Sequence, residues 1–362
     1  MTGILLISAI AIGQVFKKSK ISTIYILIVA VCLAAMRYES ADLSNYVYEY
    51  AHAGDTSVEM RYLGYSFVIK FFFKTGMSFE TYMFCFYTIC FGILVWAIGK
   101  LTWSVNCVLS FYLIYAYGLD VIQMKSLLSE CIIMIAVAFL IRKIYQNSKA
   151  RNGNKILICI IYGIVSLCAV LVHFSSIYYV MAGTIFIVIY SKNNYNKKIF
   201  AIAAVASAFV YGGGIALLLR LGYASGILGD VAYIQQWGVR KGHFGFIIPV
   251  IQIFLMIIAS EFMIDKRNQN EEYKVYKAFL MTVLLVIPLV MYDITFNRLL
   301  RVYMILLYIM YSIIPKKTRM STNEVIGNGC FILVIFYTFI TDIGPVYGST
   351  LGALLRYSKL FV

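Results

Sequence analysis

The sequence predicts an all-α fold, a polytopic integral membrane bundle of about 12 transmembrane helices with a further re-entrant or interfacial helix at the outer face. Three observations predict it. Of 362 residues, 62% are hydrophobic and 13% charged, which is more apolar surface than a soluble chain of this length has interior to bury. The apolar residues form long runs separated by short polar breaks, as spanning helices require when every backbone group must be paired within the chain. Runs such as Ile156 to Val172 and Ala278 to Tyr292 do not alternate in polarity, unlike the strands of a membrane barrel.

In chain order the apolar segments fall at 2–16, 21–36, 79–98, 101–119, 126–141, 156–172, 174–190, 199–219, 246–264, 278–292, 298–314 and 328–342. The first ends at Lys17-Lys18-Ser19-Lys20, so positive charge follows the apolar run instead of preceding it, and the run reads as a span and not as a cleavable leader. The stretch Tyr62 to Phe73 is apolar but too short to cross comfortably, which suits the outer-face helix. All eight cysteines lie in apolar stretches without CxxC spacing and read as small buried hydrophobes. The whole chain, 1–362, is expected to be a single transmembrane domain, with the two longest outer loops, 37–78 and 220–245, covering an external site.

Orientation follows from the loop cations. With the amino terminus outside, the inner loops hold 19 Lys and Arg against 5 acids, a net of +14, and the outer side holds 12 cations against 11 acids. The overall charge of +15 is therefore mostly an orientation signal and calls for no nucleic-acid partner. All three histidines, His52, His173 and His243, fall on the outer half, so acid–base chemistry is expected to face outward.

His173, in Val172-His173-Phe174-Ser175-Ser176, lies where an apolar helical hairpin turns at that face. It is the side chain suited to accept a proton near neutral pH, and Ser176, three residues on, shares its helical face. The alternative is a histidine simply hydrogen-bonded at an interface. Asn297-Arg298-Leu299-Leu300-Arg301 opens the eleventh span, and the spacing of three puts two guanidiniums on one helix face with Tyr308 further along it. Two such forks match the oxygens of a diphosphate; snorkelling to lipid headgroups is the bland reading. Gln123-Met124-Lys125 begins the fifth span and adds another outer cation, with Glu130 entering the membrane behind it. The spacing makes Lys125 and Glu130 poor neighbours, so each is expected to find partners on other helices. Arg37, Arg61, Arg220, Arg240 and Lys241 are further outer cations. There is no Walker loop, no HExxH, no Cys/His metal cluster and no Asp-x-Asp pair, so ATP-driven transport, zinc hydrolysis and metal-dependent nucleotide-sugar transfer lack their usual parts. No metal or other cofactor is expected.

Read in order, these residues resemble the EpsG family of Wzy-type polysaccharide polymerases, which serve capsule, exopolysaccharide and O-antigen assembly. The resemblance rests on Arg37 followed by Asp42-Leu43-Ser44-Asn45-Tyr46, on Leu63-Gly64-Tyr65 leading to Gly76-Met77-Ser78-Phe79-Glu80, on Gln123-Met124-Lys125, on the His173 element, and on Arg298 to Tyr308. Lys125 stands where the pattern has Arg, and Ala41 where it has Gly. The resemblance implies an enzyme of the bacterial cytoplasmic membrane that transfers a growing glycan from undecaprenyl diphosphate to a sugar hydroxyl on the next lipid-linked unit, at the outer face. It implies His173 as the base, Arg298, Arg301, Lys125 and Arg37 at the diphosphate, and Asp42, Tyr46, Gln123, Ser176, Arg240 and Tyr308 along the substrate. Membrane lipid, a chain-length regulator and a flippase are the partners it suggests. A lipid-linked oligosaccharide flippase and a sugar acyltransferase using His173 are the competing readings, and a glycan ligase would use nearly the same chemistry.

Overall fold

The computed structural model describes residues 2–37, 42–55, 62–150, 155–190, 195–212, 245–265, 268–315 and 319–343. The described residues form helices and no strand. In order these are α1 (Thr2–Val15), α2 (Lys20–Ala35), α3 (Leu43–Ala51), α4 (Leu63–Lys74), α5 (Phe79–Leu101), α6 (Val105–Ile114), α7 (Tyr117–Ile122), α8 (Met124–Ala150), α9 (Lys155–Val172), α10 (Ile177–Ile189) and α11 (Tyr195–Tyr211). There follow α12 (Ile247–Phe262), α13 (Glu271–Leu280), α14 (Ile287–Tyr292), α15 (Leu300–Ser312) and α16 (Thr322–Ile343). Three 3₁₀ turns, Phe174–Ser176, Met281–Val286 and Ile294–Leu299, join consecutive helices.

Within the described residues each expected apolar segment contains a helix. Five helical stretches are long and apolar enough to cross a membrane: Phe79–Leu101, Met124–Gln146, Lys155–Val172, Glu271–Tyr292 and Ile294–Ser312. Their ends carry ordinary capping chemistry. Ser78 Oγ accepts from Thr81 N at 3.3 Å before α5, and Asn270 Oδ1 accepts from Tyr273 N at 2.7 Å before α13, each satisfying a donor the helix leaves unpaired.

Burial supports a lipid setting. On α9 the residues Ile156, Ile160, Ile164, Leu167 and Leu171 form a continuous exposed aliphatic stripe, while Ile158, Tyr162, Ser166 and Ala169 are buried on the other side. A stripe of that size in water would be an aggregation surface; in a bilayer it is the solvated face. At the centre lies α15, where every residue from Leu300 to Met310 is buried, as expected of a helix enclosed by others.

The expected span at 101–119 is broken by a turn. The segment 101–119 forms α6, a turn at Tyr115-Ala116, and the short α7. Ala116 has φ +85°, a conformation that a side-chain-bearing residue adopts at a cost and that ends a helix. The consequence is topographic: Asp120 and Gln123 lie on and just beyond a short helix instead of in a surface loop, and Asp120 is buried.

The connections sort into two sets at opposite ends of α5 and α8. At one end Asn106 donates to the carbonyls of Phe16 (2.6 Å) and Ser19 (2.8 Å), Thr102 meets Ser312 at 2.9 Å, and Tyr276 donates to the Leu101 carbonyl at 2.7 Å. At the other end α3 closes on the start of α5, where Tyr50 donates to the Met77 carbonyl at 2.8 Å. These are the sets that the loop charges assign to the inner and outer sides.

Candidate functional site

A cavity of about 410 Å³ opens at the second end of the bundle, lined by Asp42, Asn45, Tyr46, Tyr48, Glu49, Tyr62, Gln123, Lys125, Ser126, His173 and Arg298. Its walls come from five separate segments: α3 with its approach, the approach to α4, the start of α8, the turn at His173 and the turn at Arg298. Segments far apart in sequence and predicted to share one side thus converge on one polar space.

His173 follows the last residue of α9 and is 8% exposed. Its Nδ1 is bracketed by Ser175, whose backbone N lies at 3.3 Å and whose hydroxyl lies at 2.8 Å. The backbone N–H can only donate, which caps the 3₁₀ turn. The hydroxyl can donate or accept, so the ring is held in place in either neutral tautomer. Tyr62 stacks on the imidazole at 5.3 Å and 16°. Tyr62 precedes α4, which approaches α9 closely at Gly64: a Cβ there would lie 3.0 Å from the Leu171 carbonyl carbon and 3.1 Å from its oxygen. Glycine at this position is what lets the two helices approach beside His173.

Lys125, in the first turn of α8, forms an ion pair with Glu49 at 2.6 Å. Its ammonium also lies 5.6, 5.4 and 5.2 Å from the ring centres of Tyr46, Tyr62 and Tyr65. This three-sided aromatic cage fixes the position of a side chain that is otherwise flexible. Gln123, Lys125 and Ser126 all line the cavity, so the amino terminus of a 27-residue helix, the positive end of its dipole, borders it. Asp42 precedes α3 and makes no side-chain cap; Asp42, Asn45, Tyr46 and Glu49 recur at helical spacing and present one polar face.

Not all expected site residues meet there. Arg301 does not stand beside Arg298 as a second fork. It is turned inward, 1% exposed, and Nη1 donates to Asp120 Oδ1 at 2.5 Å and Glu130 Oε1 at 3.2 Å, while Nη2 donates to Gln123 Oε1. The chain leaves the 3₁₀ turn Ile294–Leu299 at Leu300, so the spacing of three straddles two kinds of helix. Arg37, 4% exposed, is also outside the lining; Nη1 donates to the Tyr87 hydroxyl at 2.5 Å and to the Val121 carbonyl, tying the end of α2 to α7. Tyr308 packs between Phe111 and Phe331 in the core. Ser176 is buried and its N–H bonds the His173 carbonyl at 3.0 Å, so Ser175 and not Ser176 partners the imidazole. Arg240 and most of the loop 220–245 lie outside the described residues.

The expectation that Lys125 and Glu130 find partners on other helices holds, through Glu49 on α3 and Arg301 on α15. Sequence reasoning passed over Glu49, Tyr62, Asp120 and Ser175. The i, i+3, i+4, i+7 run of Asp42, Asn45, Tyr46 and Glu49 was the signal for Glu49; Asp120 stood out only as an acid at the edge of an apolar run.

The fold and cavity define a helical membrane-type protein whose polar site combines a histidine with cations and sugar-compatible carboxylates and tyrosines. The model of the EpsG family matches residues 20–348, and the chain belongs to that family, one of Wzy-like polysaccharide polymerases. No curated protein and no solved structure matches the chain.

Proposed function

We propose that the protein polymerises undecaprenyl-diphosphate-linked oligosaccharide units at the outer face of the bacterial cytoplasmic membrane. The observation that carries this reading is the convergence of His173, Lys125, Arg298 and the α8 amino terminus on one cavity in an EpsG-family chain. The outward orientation is supported by the charge of the opposite loops.

In this reading the donor diphosphate lies against Arg298, Lys125 and the first N–H groups of α8. Asp42, Glu49 and Tyr46 offer acceptors and a ring face to sugar hydroxyls. The acceptor hydroxyl gives its proton to His173 Nε2 in the tautomer whose Nδ1–H is donated to the Ser175 hydroxyl, the bond from the Ser175 backbone N–H to Nδ1 being given up in that tautomer. The hydroxyl oxygen bonds to the anomeric carbon, and the carbon–oxygen bond to the lipid diphosphate breaks with its electron pair leaving on the diphosphate. The cations stabilise that leaving charge in a site of low dielectric, where such interactions are strongest.

The test is incubation of the purified protein with a lipid-diphosphate-linked oligosaccharide, with products resolved by length. A ladder of multiples is expected. Unchanged units that cross liposome membranes would make the protein a flippase instead, and acylated single units an acyltransferase.

A further inference from the structure

We propose that Asp120 and Arg301 are positioning residues that set the polarity of the Gln123 side-chain amide, so that its NH₂ group faces the cavity as a donor to a phosphate oxygen. This rests on reading the cavity as a lipid-diphosphate site. The argument begins with the guanidinium, which has donors and no acceptor. Arg301 Nη2 bonds Gln123 Oε1, so the amide oxygen has to face inward whatever else surrounds it. Gln123 lines the cavity, and its Nε2 has no hydrogen-bond partner among the described residues.

The surroundings make this orientation informative. Asp120 and Glu130 lie just behind Gln123, and two carboxylates left to themselves would draw the amide NH₂ inward. Arg301 stands between them and reverses that preference. Nη1 pairs with one oxygen of each acid, and Asp120 is held further by the Tyr112 hydroxyl, which donates to Oδ2 at 2.7 Å. The charge of Arg301 is thereby offset within the cluster, and what reaches the cavity is a neutral, directed N–H donor. The backbone supports the same geometry. Gln123 N donates to the Leu119 carbonyl at 2.9 Å, and the Gln123 carbonyl accepts from Leu127 at 3.0 Å, so the residue is anchored to both α7 and α8. The turn at Ala116, with its positive φ, sets α7 at the angle that brings Asp120 and Gln123 together to Arg301.

The experiment is titration of the full-length protein, in one detergent, with undecaprenyl diphosphate. Gln123→Leu is expected to weaken binding about tenfold, and the near-isosteric Gln123→Glu, which turns a carboxylate oxygen toward the cavity, about a hundredfold. The charge-balanced double variant Asp120→Asn with Arg301→Gln is expected to weaken binding about tenfold in the native background and not at all when Gln123 is already Leu. A merely structural role would not produce that coupling. Equal losses in both backgrounds, or native affinity in Gln123→Leu, would overturn the proposal. Should the double variant not fold, the two single variants decide, and equal affinity of Gln123→Glu and Gln123→Leu overturns it. A native protein that binds the lipid and builds a ladder while the Gln123 variants behave like it sinks this inference alone. A native protein that neither binds nor polymerises sinks the reading of the site as well.

Discussion

His173 has two separable jobs, and one substitution divides them. Its Nδ1 caps the turn at Ser175 in the tautomer protonated at Nε2, and its Nε2 is the proton acceptor of the proposed reaction in the other tautomer, whose Nδ1–H the Ser175 hydroxyl accepts. In His173→Asn, the new Oδ1 stands close to where Nδ1 stood and can accept from the Ser175 N–H, while nothing replaces Nε2. In His173→Ala both are lost. Each variant forfeits the stack on Tyr62, worth about 0.5–1.5 kcal/mol. Only alanine also loses the cap, a further cost of about 1 kcal/mol. Loss of a general base lowers turnover about 10²–10⁴-fold, which corresponds to about 3–5 kcal/mol of barrier. The expected pattern is thus equal catalytic failure with unequal stability. Ladder growth from lipid-linked oligosaccharide measures the first, and thermal unfolding in the same detergent the second. An asparagine variant that extends the ladder within about threefold of the native rate refutes the base assignment. Equal stability of the two variants refutes the cap.

Three further outcomes are expected. Arg298→Ala should weaken undecaprenyl diphosphate binding about 10–100-fold, the range for a charge-assisted hydrogen bond, with Arg298→Lys recovering part of it; titration of the three proteins checks this, and unaltered affinity reduces Arg298 to a headgroup anchor. Gly64→Val should cost about 1–3 kcal/mol, because the added Cβ meets the Leu171 main chain, which cannot rotate away; an unchanged unfolding midpoint contradicts it. Glu49→Gln removes the carboxylate that now occupies Lys125, so lipid-diphosphate affinity should rise several-fold, and more so at low salt. A fall in affinity would show that the ion pair positions Lys125 and does not compete for it.

Much of this was legible in the sequence because lipid leaves few options. Uncharged runs must be helices, and loop cations choose a side, so Asp42, Lys125, His173 and Arg298 could be expected on one common side without coordinates, and these four do share a cavity. The failures have one physical source. Spacing on a helix predicts a shared face only if the helix is continuous, and the functional stretches are those where it is not. Arg298 and Arg301 straddle a change from 3₁₀ to α, so one lines the cavity and the other is buried. Ser176 follows His173 through a 3₁₀ turn, which hands the imidazole to Ser175 instead. Nothing in Tyr115-Ala116 announces a break, since alanine is a strong helix former; only tertiary packing forces its positive φ.

Those interruptions have a chemical logic. In a bilayer an interrupted helix exposes backbone groups that hydrocarbon cannot satisfy, and such backbone is tolerated where it is enclosed by protein or borders a polar space. The break at Ala116 is followed by the start of α8, the end of α9 by the turn at His173, and the end of α14 by the turn that carries Arg298. All three lead to the same cavity. A continuous helix would offer it side chains alone; a helix that begins there adds its unpaired N–H groups and the positive end of its dipole, with no long flexible side chain to immobilise. That matters for the side the loop charges predict to be outer. Outer-loop cations are nearly balanced by acids, and two of the acids, Asp42 and Glu49, line the cavity itself. Side-chain charge alone therefore leaves the site close to neutral, and in the proposed reaction the additional donors for an anionic leaving group come from helix ends and from the amide of Gln123.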